Sequence, residues 1–229
     1  EVLEGFRSDF PDNTLQPEVT RKLAYVYEEN NHLSLAADEY ERIERESGDD
    51  EIRRDALLVA ARLHEESGSI DRALEVYRRY VGYFPQPVEL NLETRNRIAG
   101  ILEEMGDRGA YLEELEMIVA IDASAGSAQT PRTRYLAAQA ALVLARNVFD
   151  EFAAVKLVNP LEDNLRIKRE LMKTATEDFG RLVDYGVGDV TSAATFYLAE
   201  IYSHFSKALM ASERPEGLDY PEPIVDHKE

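Results

Sequence analysis

The chain has 229 residues and a formal net charge of −19 at pH 7, from 45 acidic against 26 basic side chains. Nucleic acids are held mainly by Lys and Arg that neutralise phosphates, and no basic patch is segregated in this sequence, so no nucleic-acid partner is expected. Apolar residues make up 44% of the chain, enough to form a core. No run approaches the roughly 18 consecutive apolar residues of a membrane helix, so direct membrane insertion is not expected. The absence of Cys excludes disulfides and thiol nucleophiles.

A repeat of 37 residues organises the first half of the chain. The first two copies carry a small residue followed by a ring, first on one helix (helix A) and then on a second (helix B). The third copy is weaker, because Tyr111 stands where the other copies carry a small Ala on helix B. The copies are Leu23-Ala24-x-x-Tyr27 with Ala36-x-x-x-Tyr40, Ala60-Ala61-x-x-His64 with Ala73-x-x-x-Tyr77, and Ile98-Ala99-x-x-Leu102 with Tyr111. Such self-similarity predicts stacked units, each of which buries its apolar face only against its neighbours.

Turn residues mark the boundaries within these units. Asn30-Asn31, Gly68-Ser69 and Gly106-Asp107 separate helix A from helix B, and such short loops make consecutive helices antiparallel. The sequence therefore predicts an all-α fold that begins with three helical hairpins, at about residues 17–48, 54–87 and 92–122.

Longer helices follow in the C-terminal half. A loop at 122–130 ends with Thr130-Pro131, which is typical of an N-cap followed by the first helical residue. We expect helices at about 131–157, 162–185 and 191–212, that is, one enlarged hairpin and a final helix that repeats the helix A pattern. The Pro-containing tail, residues 213–229, should be extended. Since the tail does not read as a capping helix, we expect the natural protein to continue beyond it.

The repeated residues resemble the tetratricopeptide repeat, in which a small residue and an aromatic recur on both helices and a Pro closes the unit, as Pro85 does here. The resemblance implies a right-handed superhelical solenoid that serves as a protein-protein interaction scaffold, with a partner bound on the concave helix A face. It places the groove at these residues, which we predict to bind the partner: Arg21, Tyr25, Glu28, Asp55, Arg62, Glu65, Asn96 and Glu103.

Three pairs of glutamates recur at the end of helix A, in register with the repeat: Glu28-Glu29, Glu65-Glu66 and Glu103-Glu104. Negative charge at a helix C-terminus is unfavourable by about 0.3–1 kcal/mol, so helix stability does not explain the pairs. Two interpretations stay open. The pairs either cap helices and solvate an edge, or form an acidic ridge that attracts a basic protein or peptide.

No catalytic motif is present. The four His residues lie far apart in sequence, and there is no phosphate-binding loop, nucleophile elbow or metal-ligand spacing. We therefore expect a protein without enzymatic activity, cofactor or metal. Two alternatives remain, namely a regulatory or substrate-recruiting domain of a larger enzyme, and a small-ligand module with a pocket between residues 131–185 and the third unit.

The final helix adds two expectations. Phe196, Tyr202 and Phe205 lie on it at helical spacing, which usually indicates core, but if its partner helix is absent these rings favour self-association. The end of the chain, from Phe196 to Pro215, also resembles a segment of large bacterial repeat proteins of the envelope. That resemblance implies a multi-repeat protein in the periplasm or cell envelope.

Overall fold

The computed structural model describes residues 1–212, which contain ten α-helices, two 3₁₀ turns and no strand. The helices are α1 (Val2–Asp9), α2 (Gln16–Glu29), α3 (Leu33–Glu46), α4 (Asp50–Glu66), α5 (Ile70–Tyr83), α6 (Val88–Met105), α7 (Arg108–Ser124), α8 (Pro131–Ala154), α9 (Leu161–Leu182) and α10 (Gly188–Ala211), with 3₁₀ turns at Gly126–Ala128 and Val183–Tyr185. The all-α prediction is confirmed. The predicted extended tail lies outside the described residues.

The chain divides into two compact units between Ala140 and Ala141, inside α8. In the first unit each pair of consecutive helices, from α1 with α2 to α6 with α7, packs together. This sequential packing is that of a helical-repeat solenoid. In the second unit α9 packs against α10, and the 3₁₀ turn at Val183–Tyr185 contacts both helices. Within residues 1–212, no helix has the length and apolar content that a membrane crossing requires.

The hairpin loops lie where the turn residues predicted them. Asn31, Gly68 and Gly106 have left-handed backbone conformations, with φ of 58°, 78° and 76°. Asn and Gly tolerate this conformation best, which explains why they occupy these helix ends. Asp107 then caps α7, because its carboxylate accepts a hydrogen bond from the Ala110 amide at 3.2 Å.

The core between the first hairpins is built from the repeated small residues and rings. Ala36 and Ala37 of α3 are fully buried and pack with Leu63 of α4. Tyr27 and Tyr40 pack against this cluster. The small side chains therefore let the helices approach, and the tyrosines fill the space between successive hairpins, as the repeat predicts.

Two helix limits and one whole helix differ from the sequence-based expectation. The enlarged helix α8 ends at Ala154 rather than near residue 157, and α10 begins at Gly188 rather than at Thr191. The short α1 was not predicted at all. Its eight residues contain less than one repeat of the pattern, so periodicity alone could not reveal it.

At each of three helix C-termini, a side chain from the following helix caps the helix end. In each case it donates to two backbone carbonyls three positions apart, which the helix leaves without partners. Gln16 donates to Arg7 and Phe10, Asn91 donates to Val81 and Phe84, and Lys168 donates to Phe152 and Val155, at distances of 2.6–3.3 Å.

Lys168 is the only one of these three donors that carries a charge. Its side chain is fully buried, and its Nζ lies 4.3 Å from the centre of the Phe152 ring. Burial lowers the pKa of the Lys168 amine. The positive end of the side chain meets the negative end of the α8 dipole, so the contact orders the junction between α8 and α9.

We expect Lys168→Met to lower the free energy of unfolding by about 1–3 kcal/mol, because one buried and one partly buried carbonyl lose their donor. Urea unfolding followed by circular dichroism measures the loss. Lys173→Met is the control, because Lys173 is exposed and makes only a 3.9 Å surface pair with Glu177. Equal stabilities of the two variants would contradict this role.

The depressed pKa also gives a pH dependence. The folded protein binds fewer protons at Lys168 than the unfolded chain, so the contribution of this site to stability should rise with pH between the lowered pKa and about 10.4. The Lys168→Met variant should lack this rise, as measured by the same unfolding curves at several alkaline pH values.

Candidate functional site

The predicted partner-binding residues lie on the face formed by α2, α4 and α6, which we call the helix A face. A groove of about 350 Å³ opens between α2 and α4 on this face. It is lined by Arg21, Tyr40, Ile43, Ile52, Asp55, Ala56 and Val59. The structure thus brings together Arg21 and Asp55, two residues that the sequence assigned to different repeats.

Arg21 also lines a second hollow of about 400 Å³, next to α1, together with Tyr25 and Val26. The Tyr25 side chain is 63% exposed. Within residues 1–212, Arg21 forms no ion pair or hydrogen bond. Arg21 and Tyr25 therefore present a guanidinium and an exposed ring at the second hollow, and Arg21 also reaches the groove between α2 and α4.

The predicted glutamates Glu28 and Glu65 are held by neighbouring side chains. Glu28 accepts a hydrogen bond from the Tyr40 hydroxyl of its own hairpin at 3.0 Å and pairs with Arg62 of the next hairpin at 3.4 Å. Glu65 repeats the arrangement, with Tyr77 of its own hairpin at 3.1 Å and Arg97 of the next at 3.0 Å. Each carboxylate therefore joins both helices of one hairpin to helix A of the following one. We call this series of contacts the Glu-Tyr-Arg ladder.

The ladder changes at the third repeat. Glu103 is exposed, and its neighbour is Tyr111, whose pKa is raised by burial and by the Glu103 charge. The next ion pair comes from Glu93 instead, which binds Arg132 of α8 at 2.5 and 3.0 Å. Asn96, the remaining predicted residue, is exposed on α6.

These pairings alter the electrostatics expected for the acidic ridge. Arg62 and Arg97 offset the charges of Glu28 and Glu65 along the helix A face. Burial raises the pKa of Tyr40, and hydrogen bonding to Glu28 raises it further, so this phenol stays a donor at neutral pH. Glu28 and Glu65 have partners within the stack, which favours a structural role for these two glutamates. Among the predicted acidic residues, Asp55 and Glu103 have the most exposed side chains.

We expect Glu65→Gln and Arg97→Gln to couple in a double-mutant cycle by about 0.5–1 kcal/mol, and the coupling to shrink at high salt because the pair is partly exposed. Denaturant unfolding of the four proteins measures it. Glu104→Gln with Arg97→Gln is the matched cycle, since Glu104 is exposed and has no partner among residues 1–212. Equal coupling in both cycles would contradict the ladder.

Sequence reasoning missed a buried charge cluster on the helix B side. Glu41 of α3 is 1% exposed and accepts hydrogen bonds from His64 at 3.0 Å, Arg72 at 2.9 Å and Arg79 at 2.8 Å. The repeat places His64 where Tyr27 stands one unit earlier. His64 is buried there, and it also bonds the previous hairpin through Glu41.

Asp38 lies next to this cluster, and ligand atoms of Asp38, Glu41 and His64 fall within 4.8 Å of one another. These are donor types that bind divalent metals. However, the guanidinium groups of Arg72 and Arg79 already bind both Glu41 oxygens, and their charges repel a cation. The geometry fits a buried ion-pair cluster that joins α3 to α4 and α5.

Glu41 should make a large contribution to stability. Burial alone would raise the pKa of its carboxyl, but hydrogen bonds from Arg79 and His64 and the arginine charges outweigh burial and lower it. We expect Glu41→Gln to reduce the free energy of unfolding by about 2–3 kcal/mol at pH 7. Because the pKa of Glu41 is lower in the folded protein than in the unfolded chain, where it is about 4.3, the carboxylate stabilises the fold most at pH values above about 4.3. The difference in stability between Glu41→Gln and wild type should therefore shrink as the pH falls below about 4.

Asp38→Asn is the control for Glu41, because Asp38 is exposed and should change stability by less than about 0.5 kcal/mol. Thermal or urea unfolding at pH 7 and at acidic pH measures both variants. A loss for Asp38→Asn as large as that for Glu41→Gln would contradict the ion-pair interpretation.

The aromatic residues of α10 divide into two groups. Tyr197 stacks on Phe179 with ring centres 4.9 Å apart and lies edge-on to Phe149, so it belongs to the packing of the second unit. Phe196 and Tyr202 are 60% and 58% exposed. Self-association through α10 stays a prediction, and these two rings are the residues that would carry it.

Comparisons with known proteins give no family. No family model and no curated protein matches the chain. Among solved structures it is similar to the DHF58 filament, with 16% identity, a TM-score of 0.31, and coverage of 85% of this chain and 79% of that one. It is also similar to the de novo designed helical repeat protein DHR64, with 19% identity, a TM-score of 0.31, and coverage of 91% and 90%. The tetratricopeptide resemblance therefore rests on the repeated residues alone.

Proposed function

We propose that the chain is a protein-interaction scaffold that binds a peptide segment in the groove between α2 and α4. The observation that carries the proposal is the open groove of about 350 Å³ with Arg21 and Asp55 at its rim. Helical-repeat proteins commonly use such extended surfaces for binding. On this proposal the chain itself performs no catalysis, and a recruiting role within a larger enzyme would use the same groove.

The groove lining indicates the chemistry of the peptide. Ile43, Ile52 and Val59 provide an apolar floor that suits an aliphatic or aromatic side chain. The Asp55 carboxylate is 70% exposed, and its nearest cation is Arg54 at 4.0 Å, so it is available to a basic side chain. An apolar residue next to a Lys or Arg is therefore the sequence we expect the groove to select.

The net charge of −19 supports a basic partner in a second way. A strongly anionic protein attracts cationic segments from a distance and raises their rate of association, an effect that salt reduces. Arg62 and Arg97 offset the charges of Glu28 and Glu65, so the other acidic residues supply most of that long-range field. Charge reversal at Glu28 or Glu65 would also break the Glu-Tyr-Arg ladder. A loss of binding in such a variant could then not be distinguished from a loss of structure.

We expect peptides selected from a displayed random library to be basic and to lose at least about tenfold in affinity when Asp55→Arg is introduced, because one close charge contact turns from attractive to repulsive. Fluorescence anisotropy with a labelled selected peptide measures the affinity at low and high salt.

Glu113→Arg is the matched control. Glu113 is exposed on α7, away from the groove lining, and its substitution changes the net charge by the same amount. Peptides that bind wild type, Asp55→Arg and Glu113→Arg equally would place the binding site elsewhere. An equal loss in both variants would show that only the overall charge matters.

A further inference from the structure

The short helix α1 resembles the C-terminal end of α5. Corresponding residues of the two helices are 74 positions apart, which is twice the repeat length of 37. Phe10-Pro11 corresponds to Phe84-Pro85 in the sequence. The rings correspond as well. Phe6 and Phe10 have centres 5.2 Å apart at an angle of 40°, and Tyr80 and Phe84 have centres 5.7 Å apart at 47°.

The two helix ends are also closed in the same way. The Gln16 amide donates to the carbonyls of Arg7 and Phe10, and the Asn91 amide donates to those of Val81 and Phe84. The accepting carbonyls are again 74 positions apart. Sequence, ring geometry and helix capping therefore agree that α1 is the last part of a helix B.

The two helices differ in how far neighbouring helices bury them. Tyr80 and Phe84 are 0% and 8% exposed, because α5 packs between α4 and α6. On the α4 side, the Arg53 guanidinium lies 5.7 Å from the centre of the Phe84 ring. Phe10 is 55% exposed and Val2 is 86% exposed. Within residues 1–212, α2 packs on α1 as α6 does on α5, but no helix takes the place of α4.

Two hollows mark the uncovered surface. One of about 220 Å³ is lined by Val2, Leu3, Phe6, Leu15, Glu18, Val19 and Lys22, and the hollow of about 400 Å³ continues from Leu3 to Tyr25 and Val26. The surface is thus a mainly apolar strip along α1 and α2, with charged residues at its edge. We call it the α1 surface.

We propose that the α1 surface docks an amphipathic helix with the residue pattern of α4. The docked helix lies along α1 as α4 lies along α5. Its first turn supplies an Arg over the Phe10 ring, as Arg53 does for Phe84. An apolar residue four positions later takes the place of Leu57, which is fully buried in α4, and a pair of small residues matches Ala60 and Ala61. This surface shares one lining residue, Arg21, with the groove between α2 and α4. The assignment uses no contact of Arg21, so it does not depend on the proposed peptide binding.

The absence of Trp from the sequence allows a direct test. Phe10→Trp introduces a single Trp on the α1 surface, which can be excited selectively over the 12 Tyr residues of the chain. A copy of residues 49–75, which contain α4 and the start of α5, is then joined directly in front of Val2. Val2 corresponds to residue 76, so the added segment continues into α1 in the register of the repeat. We expect the added helix to shift the Trp emission to the blue and to reduce acrylamide quenching to the level of Phe84→Trp, the buried reference.

The control fusion carries Arg53→Ala and Leu57→Asp in the added copy only, and its Trp emission should stay that of the parent Phe10→Trp protein. Slower amide exchange in α1 of the unsubstituted fusion gives a second measurement, independent of the Trp. Unchanged emission and exchange in a folded fusion would overturn the assignment. A parent protein whose Trp becomes buried as its concentration rises would overturn it too, since a second copy would then be the occupant.

Discussion

The dependence of each hairpin on the next governs the whole first unit. The helices α2 to α6 have 14–18 residues, and helices of this length take most of their stability from burying their apolar stripes against neighbours. Small residues at Ala36, Ala61 and Ala73 let consecutive helices approach closely, and the tyrosines fill the gaps that remain. Stability is thereby shared between adjacent hairpins rather than held within any one of them.

Polar side chains follow the same rule. Glu41 is buried with partners on both helices of the next hairpin, and Glu28 and Glu65 bridge successive copies of helix A. A buried carboxylate without these partners would carry a large desolvation penalty. Misaligned hairpins would leave such charges uncompensated, so the ion pairs restrict how the hairpins can stack. The helix ends closed by Gln16, Asn91 and Lys168 restrict the joints in a similar way.

The sequence predicts the local parts of this arrangement better than the long-range ones. Asn31, Gly68 and Gly106 revealed the loops because left-handed turns favour few residue types. The partners of the glutamates were hidden because Arg62 and Arg97 lie 34 and 32 positions after Glu28 and Glu65, out of step with the repeat of 37. Glu41 was hidden because its partners come from two helices of another hairpin. The groove shared by Arg21 and Asp55 likewise depends on how α2 and α4 pack, and only the family resemblance pointed to it.

The ladder also separates two electrostatic effects on the helix A face. Glu28 with Arg62 and Glu65 with Arg97 are paired at 3.0–3.4 Å, so each pair adds little to the field beyond a Debye length of about 8 Å at physiological salt. At close range, these carboxylates already accept hydrogen bonds within the stack. On the proposed function, the most exposed charged groups of the groove decide what it contacts, and these are Arg21 and Asp55, whose nearest cation is Arg54 at 4.0 Å. The remaining acidic excess acts as a diffuse field around the protein. On the proposed function, recognition at close range and attraction at long range come from different residues, so a groove substitution that keeps the net charge should change the first and leave the second unaltered.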